Sequence, residues 1–145
     1  MPFRLSVARA LLPALTAALL GAAPALAQSG NFEIELNTSA ELDNACRLTF
    51  VATNNTGLTL TKTSYEVAAF NAEGVVSQLL VLEFGELPQS KTRVVQFDLP
   101  DMKCADISRL LVNAQDACES SDGASDVCMK SLSASSRIPT MPFGL

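Results

Sequence analysis

Regular alternation of apolar and polar side chains is the feature that most restricts how this chain can fold. Every second residue of the segment Cys46–Thr53 is apolar, and the shorter segment Phe32–Leu36 repeats the pattern. A period of two is typical of a β-strand with one buried face, since successive side chains point to opposite faces of a sheet. The chain is therefore expected to bury one face of each strand in an all-β core.

Six such segments follow one another, separated by turns such as Asn54–Gly57 and Asn71–Gly74, whose Asn and Gly residues adopt positive φ at low cost. A helix over Ile107–Ala117 competes with the last strand, because its apolar residues also fit helical spacing. Short strands with frequent turns predict an all-β fold, an Ig-like antiparallel β-sandwich of about six to seven strands. The predicted strands are Phe32–Leu36, Cys46–Thr53, Leu60–Phe70, Val75–Phe84, Lys91–Leu99 and Ile107–Ala114.

The fourth strand differs from the others because its centre, Leu79–Leu82, is apolar on both faces. We expect a central strand, or one whose outer face is covered by another part of the chain. Left uncovered, Leu79 and Val81 would form an exposed apolar patch of the kind that marks partner surfaces. The predicted buried face of this strand carries Val76, Leu80, Leu82 and Phe84. The strand aromatics predicted to be core are Tyr65, Phe70, Phe84 and Phe97.

The first 27 residues have the three parts of a cleavable signal peptide. Arg4 and Arg9 form a basic start, an apolar run follows, and Ala25-Leu26-Ala27 has the small-x-small pattern that signal peptidase cuts. Proline and glycine interrupt the apolar run, whereas a spanning helix needs about 20 consecutive apolar residues. We expect a mature chain that begins at Gln28, is periplasmic or secreted, and has no membrane insertion after cleavage.

The mature chain fits a single domain. We assign residues 28–117 to the β-sandwich and residues 118–145 to a disulfide-pinned loop and a weakly ordered tail, because the segment Glu119–Arg137 is rich in Ser, Asp, Gly and Ala. Beyond the signal there are eight basic residues against fifteen acidic ones, a net charge of −7. An acidic chain repels phosphate, so nucleic acid and anionic lipid are not expected partners.

Four cysteines lie beyond the signal, and an even number in an exported chain predicts two disulfides. If the strands alternate in direction, the start of the second strand and the end of the fifth lie at one end of the sandwich. Cys46 and Cys104 are then neighbours, whereas Cys118 lies about 26 Å away, beyond disulfide reach. The predicted pairs are Cys46–Cys104 and Cys118–Cys128.

The stretch Cys46–Leu99 resembles the small bacterial Ig-like domains called FxLYD-like. An Asn-rich turn at Asn54–Gly57, the strand end Val67–Asn71 and the turn Ala72–Gly74 match the order of the family's elements, as does Leu87-Pro88 before the apolar strand. The resemblance implies a β-sandwich without shared catalytic residues. The chain is also similar to small exported proteins of Gram-negative bacteria.

Histidine is absent from the chain, which removes the usual general base near neutral pH and the commonest metal ligand. Serine and cysteine nucleophiles paired with histidine are therefore excluded. The remaining candidates for acid–base or cation chemistry are carboxylate groups, which we interpret mainly as solvated surface. These are Glu33 with Glu35, Glu41 with Asp43, and the acidic residues Asp116, Glu119, Asp122 and Asp126. Met102, Met129 and Met141 are the candidates considered for a copper site, although they form no clustered motif.

From these patterns we expect a non-enzymatic exported module with no cofactor, which binds an unidentified protein partner in the envelope through a surface or an exposed strand edge. The alternative is a small secreted inhibitor or ligand-binding protein that uses the tail loop. A cation-dependent enzyme with paired carboxylates is the third hypothesis. The fold cannot choose among them, because sandwiches carry many functions.

Overall fold

The structure is a computed structural model that describes residues 30–145, so the predicted signal peptide lies outside the described residues. Within that range the chain forms nine strands, a 3₁₀ turn at Cys104–Asp106 and a one-turn helix α1 (Val127–Lys130). The strands are β1 (Phe32–Leu42), β2 (Ala45–Asn54), β3 (Leu60–Phe70), β4 (Val76–Glu83), β5 (Thr92–Pro100), β6 (Arg109–Ser120), β7 (Gly123–Ala124), β8 (Leu132–Ser136) and β9 (Phe143–Gly144). The all-β prediction is confirmed, including strand rather than helix after Ile107.

Two sheets stack to form a β-sandwich. Sheet A has the order β5-β2-β1-β8, and sheet B has the order β4-β3-β6-β7 with β9 paired to part of β6. The long neighbours are antiparallel, while β8 runs parallel to β1 and β9 runs parallel to β6. Strands β4 and β5 therefore form the two sheet edges on one side of the sandwich.

Alternation places the four predicted apolar residues of β2 in the core, and all four are fully buried. Phe50 is central to this packing: its ring lies 5.8 Å from Phe84, 5.9 Å from Phe97 and 5.3 Å from Phe143, each at an edge-to-face angle. Tyr65 and Phe84 also meet edge to face at 6.0 Å. Because these rings come from both sheets, the cluster holds the two layers together.

Both predicted disulfides are present, Cys46–Cys104 and Cys118–Cys128. Ala45 pairs with Pro100 at the end of the β2–β5 ladder, so the start of β2 and the end of β5 meet as strand direction required. The Cα atoms of Cys46 and Cys104 are 4.8 Å apart. Cys118 differs in one respect from the prediction, since it lies within the long β6 and not after it.

The C-terminal segment folds with the rest of the sandwich, where the sequence suggested a pinned loop and a weakly ordered end. Strand β8 extends sheet A, and β9 pairs with Leu110 and Leu111 of β6. Met141 and Phe143 are buried in the same core as Phe50. The segment therefore closes the side of the sandwich opposite to β4 and β5.

The prediction of a central or covered fourth strand was wrong. β4 ends sheet B and has a neighbour, β3, on one side only within the described residues. Leu79 is 56% exposed and Val81 is 51% exposed. Val76 was also predicted to be buried, but it is 51% exposed, because a register shift at Phe70 places it opposite that residue and outside the core.

Replacing Phe143 with Ala is expected to reduce the free energy of unfolding by about 3 kcal/mol, the usual cost of emptying a buried aromatic site. The exposed Leu145 provides the control, since Leu145→Ala should change stability by less than about 0.5 kcal/mol. Urea unfolding followed by circular dichroism measures both values. Equal, small effects would contradict the assignment of the C-terminal segment to the core.

Removing the two disulfides should have unequal effects. The Cys46–Cys104 bond spans 58 residues and the Cys118–Cys128 bond spans 10. Loop-closure entropy then predicts losses of about 4 and about 3 kcal/mol for the paired Cys→Ala variants. The check is urea unfolding of the two double variants, and a larger loss for Cys118–Cys128 would contradict the prediction.

Candidate functional site

An apolar area covers the outer face of sheet B next to its free edge. We call it the β4 surface. It comprises Val76, Leu79 and Val81 of β4, Ala68 and Phe70 of β3, and Leu111 of β6. Ala68, Phe70 and Leu111 lie outside the core cluster although they are largely shielded, which is consistent with their position on the outer face. A contiguous apolar area at a sheet edge is typical of a surface that binds a partner.

The strand register makes this surface continuous. Ala68 pairs with Leu79 on one side and with Leu111 on the other, so one apolar row crosses three strands. In the adjacent row Phe70 pairs with Val76 and with Arg109. The small side chain of Ala68 lies between Leu79 and Leu111 in this row and is almost fully shielded from solvent.

Polar groups border the β4 surface. The Arg109 guanidinium lies 3.8 Å from the ring centroid of Phe70 and shields that ring from solvent. On the other side Asn113 donates a hydrogen bond to the Glu66 carboxylate. An apolar centre within a polar rim is the usual arrangement of a protein–protein interface.

The backbone of β4 also has hydrogen-bonding groups free at this edge. Phe84 donates its N–H to the Thr63 carbonyl, so the pair Phe84–Thr63 is hydrogen-bonded. Because bonding alternates along an antiparallel ladder, Leu80 and Leu82 also bond to β3. Leu79 and Val81 therefore direct their N–H and C=O groups away from the sheet, ready to pair with another strand.

The neighbouring edge strand β5 is protected by charge and proline. Arg47 donates hydrogen bonds of 2.6 and 2.7 Å to both carboxylate oxygens of Asp98, and the strand ends at Pro100. The hydrogen bonds from Arg47 lower the pKa of Asp98 below its usual value. Charged side chains and proline on an edge oppose pairing with another chain. The centre of β4, Leu79–Leu82, has neither.

The predicted carboxylate pair Glu33 and Glu35 lies on the outer face of sheet A, beside Ser133, Ser135 and Arg137. Asn37 and Arg137 donate hydrogen bonds of 3.0 and 2.7 Å to Glu35 and lower its pKa. Asn31 donates to Glu33. Both carboxylates thus hold surface hydrogen bonds at the side of the sandwich away from β4.

Glu41 and Asp43 line one cavity together with Asp101 and Asp106, but in residues 30–145 these carboxylates do not form a set that could hold a metal ion. Glu41 accepts a hydrogen bond of 2.9 Å from the backbone N–H of Cys104 and so fixes the segment that follows β5. Asp43 lies exposed in the turn between β1 and β2. Asp101, nearby, accepts a 2.7 Å hydrogen bond from Asn44. These contacts fasten the end of the sandwich around the Cys46–Cys104 bond.

The acidic residues near the second disulfide are dispersed. Asp116 accepts a hydrogen bond of 2.6 Å from Ser64, and Asp126 forms a 2.5 Å ion pair with Lys130 that lowers the pKa of Asp126. Glu119 lies on β6, and Asp122 lies in the turn after it. In the part of the chain that the structure describes, no three of the groups able to ligate a metal lie together.

The three methionines considered as copper ligands are part of the core packing. Met102 and Met141 belong to the buried cluster, and Met129 packs against it. Their side chains contribute to the apolar packing. This arrangement explains their presence through packing alone.

The buried polar groups include Asn54, which sequence reasoning did not assign to the core, and the hydroxyl of Tyr65, which was predicted to be core. Asn54 donates to the carbonyls of Leu58 and Leu87 at 2.7 and 2.8 Å and accepts from Thr56. It therefore joins the turn after β2 to the loop after β4. The Tyr65 hydroxyl donates a 2.8 Å hydrogen bond to the Cys128 carbonyl, and burial raises the pKa of Tyr65.

The predicted partner residues Leu79 and Val81 do lie together, but sequence reasoning missed the neighbours that enlarge the surface. Phe70 was predicted to be core, whereas it lies on the outer face beneath Arg109. Strict alternation from Tyr65 would have placed Ala68 and Phe70 outside, so the signal was present. The turn Asn71–Gly74 indicates β3 as a neighbour of β4, whereas no local pattern showed that β4 has no second neighbour within residues 30–145.

Comparison with protein-family models, with curated proteins and with solved structures finds no match to this chain. Between residues 30 and 145 there is no helix with the length and hydropathy that a membrane crossing requires. The two disulfides indicate an oxidising, extracytoplasmic environment. The β4 surface is the arrangement in the described chain that best suits a binding role.

The lowered pKa of Asp98 predicts a contribution to acid sensitivity. A carboxylate with a lowered pKa in the folded state adds stability above its unfolded pKa, about 4, and that stability is lost as pH falls through the lowered value. Asp98→Asn should therefore lose less stability on acidification than the parent, and Arg47→Gln should behave likewise. Melting temperatures across a pH series test this, and unchanged pH profiles in both variants would contradict it.

Proposed function

We propose that the protein is a non-enzymatic, disulfide-stapled β-sandwich module that is exported to the cell envelope and acts by binding a protein at the β4 surface. The observation that carries the proposal is the coincidence, in Leu79 and Val81, of exposed apolar side chains and outward-facing backbone groups. A partner strand added to β4 would bond to the backbone and cover the apolar side chains together.

Export is supported by the signal-like segment 1–27 and by the two disulfides. The disulfides also staple a small core, which is a common arrangement in exported domains of this size. The periplasm or the cell exterior is the proposed location.

The strand order supports placing the domain among Ig-like sandwiches. Sheet A contains β5-β2-β1, and sheet B contains β4-β3-β6. In the strand letters used for Ig folds, β5, β2 and β1 correspond to strands E, B and A. In the same letters, β4, β3 and β6 correspond to strands C′, C and F. The parallel strands β8 and β9 add to that arrangement. The proposed FxLYD-like relationship rests on this order and on the sequence resemblance.

A binding role is favoured over catalysis because three of the surface carboxylates form ion pairs with separate basic residues. Glu35, Asp98 and Asp126 each pair with a cation on the surface. Without histidine, acid–base chemistry near neutral pH would depend on such groups. The tail-loop inhibitor is less well supported, since β8 and β9 use most of the tail to complete the sandwich.

The proposal is tested by blocking the backbone edge. Val81→Pro removes an outward N–H without breaking a bond to β3, and an edge strand tolerates such a proline. We expect affinity capture of the tagged protein from envelope extract, after chemical crosslinking, to recover a defined protein with the parent chain. Recovery should fall at least about tenfold with Val81→Pro, a loss of about 1.4 kcal/mol in binding.

Val94→Pro is the matched control, because it also removes an outward N–H, on the edge strand β5. The Asn54 N–H donates a hydrogen bond to the Lys91 carbonyl across the β2–β5 ladder. Because backbone bonding alternates along an antiparallel ladder, the N–H of Val94 points away from β2. Circular dichroism must show that both variants fold. Recovery unaffected by Val81→Pro and by Leu79→Lys, or absent even for the parent chain, would overturn the proposal.

A further inference from the structure

Resting on the proposed function of the β4 edge, we infer that a second copy of this chain is the partner that the edge accommodates, through antiparallel pairing of β4 with β4 about a two-fold axis. An isologous contact of this kind uses the same surface twice and closes after two subunits. It would join the two B sheets edge to edge and continue the apolar row of one subunit into the next.

The backbone restricts the register of such pairing. Only residues that point their N–H and C=O groups outward can exchange hydrogen bonds, and on β4 these include Leu79, Val81 and Glu83. An antiparallel partner must therefore place one of these residues opposite another of them. Registers that differ by one residue would leave the backbone groups unpaired and are excluded.

Among the allowed registers, one matches the side chains best. With Leu79 opposite Val81 of the second copy, and Val81 opposite its Leu79, all four aliphatic side chains meet on the outer face. Glu83 then lies opposite Ser77, so no like charges oppose each other. A register shifted by two residues in one direction places the charged Glu83 opposite the apolar Leu79. A register shifted by two residues in the other direction places the apolar Val81 opposite the polar Ser77, so both match the side chains less well.

The same register also brings together side chains on the inward face of β4. Leu80 lies at the two-fold axis, where it would face Leu80 of the second copy. It is only partly buried in the single chain and packs at the margin of the core. Pairing would therefore cover apolar surface on both faces of the strand at once.

The remaining edge strands are less suited to pairing than β4, which explains why self-pairing would select β4. β5 carries the Arg47–Asp98 ion pair and Pro100. The far edge strands are short, since β8 in sheet A has five residues and β7 in sheet B has two, and short edge strands offer little length for pairing. β4 has Glu83 at one end and a register irregularity near Ser77 at the other, with no charge between them. The unprotected centre is as long as the pairing needs, which favours a closed dimer over open-ended association.

A charge-complementation experiment tests both the contact and its register. The parent chain should elute in light-scattering chromatography with twice the protomer mass, whereas Leu79→Lys and Val81→Glu should each be monomeric. An equimolar mixture of these two variants should recover the dimer, because the introduced lysine of one chain then faces the introduced glutamate of the other, while the second pair stays aliphatic. Val94→Lys, on the exposed β5, is the control and should remain dimeric.

A monomeric parent chain at high concentration would overturn the inference, and so would monomeric behaviour of the mixture or dimers in both single variants. The proposed function is judged separately by the crosslinked capture. A heterologous envelope protein that is lost with Val81→Pro, combined with a monomeric parent chain, would refute self-pairing and leave the β4 surface as a binding site for that protein. If only untagged copies of this chain are captured and the parent chain is dimeric, both the binding function of the β4 surface and self-pairing are supported.

Discussion

The edge-to-face packing of Phe50 against Phe84, Phe97 and Phe143 is the interaction on which the rest of the structure depends. These four rings come from both sheets and from widely separated parts of the chain. Phe84 fixes the end of β4, Phe97 fixes β5, and Phe143 brings the C-terminus into the core. Large rings with few rotatable bonds supply much of the buried area that a small domain needs, and Phe32 and Tyr65 add two more buried rings to the core.

This packing makes the two sides of the sandwich unequal. On one side Phe143 draws the C-terminal segment across the gap between the sheets, and β8 and β9 occupy the strand edges there. On the other side the chain crosses between β4 and β5 through Phe84 and leaves both strands as edges. Charge and proline protect β5, while β4 presents an aliphatic centre. The asymmetry follows from where the aromatic residues lie in the sequence, and it leaves the exposed apolar side chains of β4 on one edge.

Much of the sandwich could be predicted because its signals are local. The alternation in β2 and the strand directions were sufficient to place Cys46 beside Cys104. Strand β8 could not be foreseen, since Leu132–Ser136 becomes a strand by pairing with β1 and not through its own composition. The apolar run Leu79–Leu82 predicted that something must cover it, but not that the chain itself leaves it open. The surface residues were thus identifiable in part, whereas their setting depends on long-range contacts.

Amide hydrogen exchange along β4 is the most direct test of the claim that this strand is a free, self-pairing edge. At low protein concentration the amides of Leu80 and Leu82 should be protected by β3, while those of Leu79 and Val81 exchange rapidly. Raising the concentration should slow exchange at Leu79 and Val81 and leave Leu80 and Leu82 nearly unchanged. Protection of Leu79 and Val81 at every concentration would show that the chain covers its own edge, and rapid exchange at every concentration would show that no second strand pairs there.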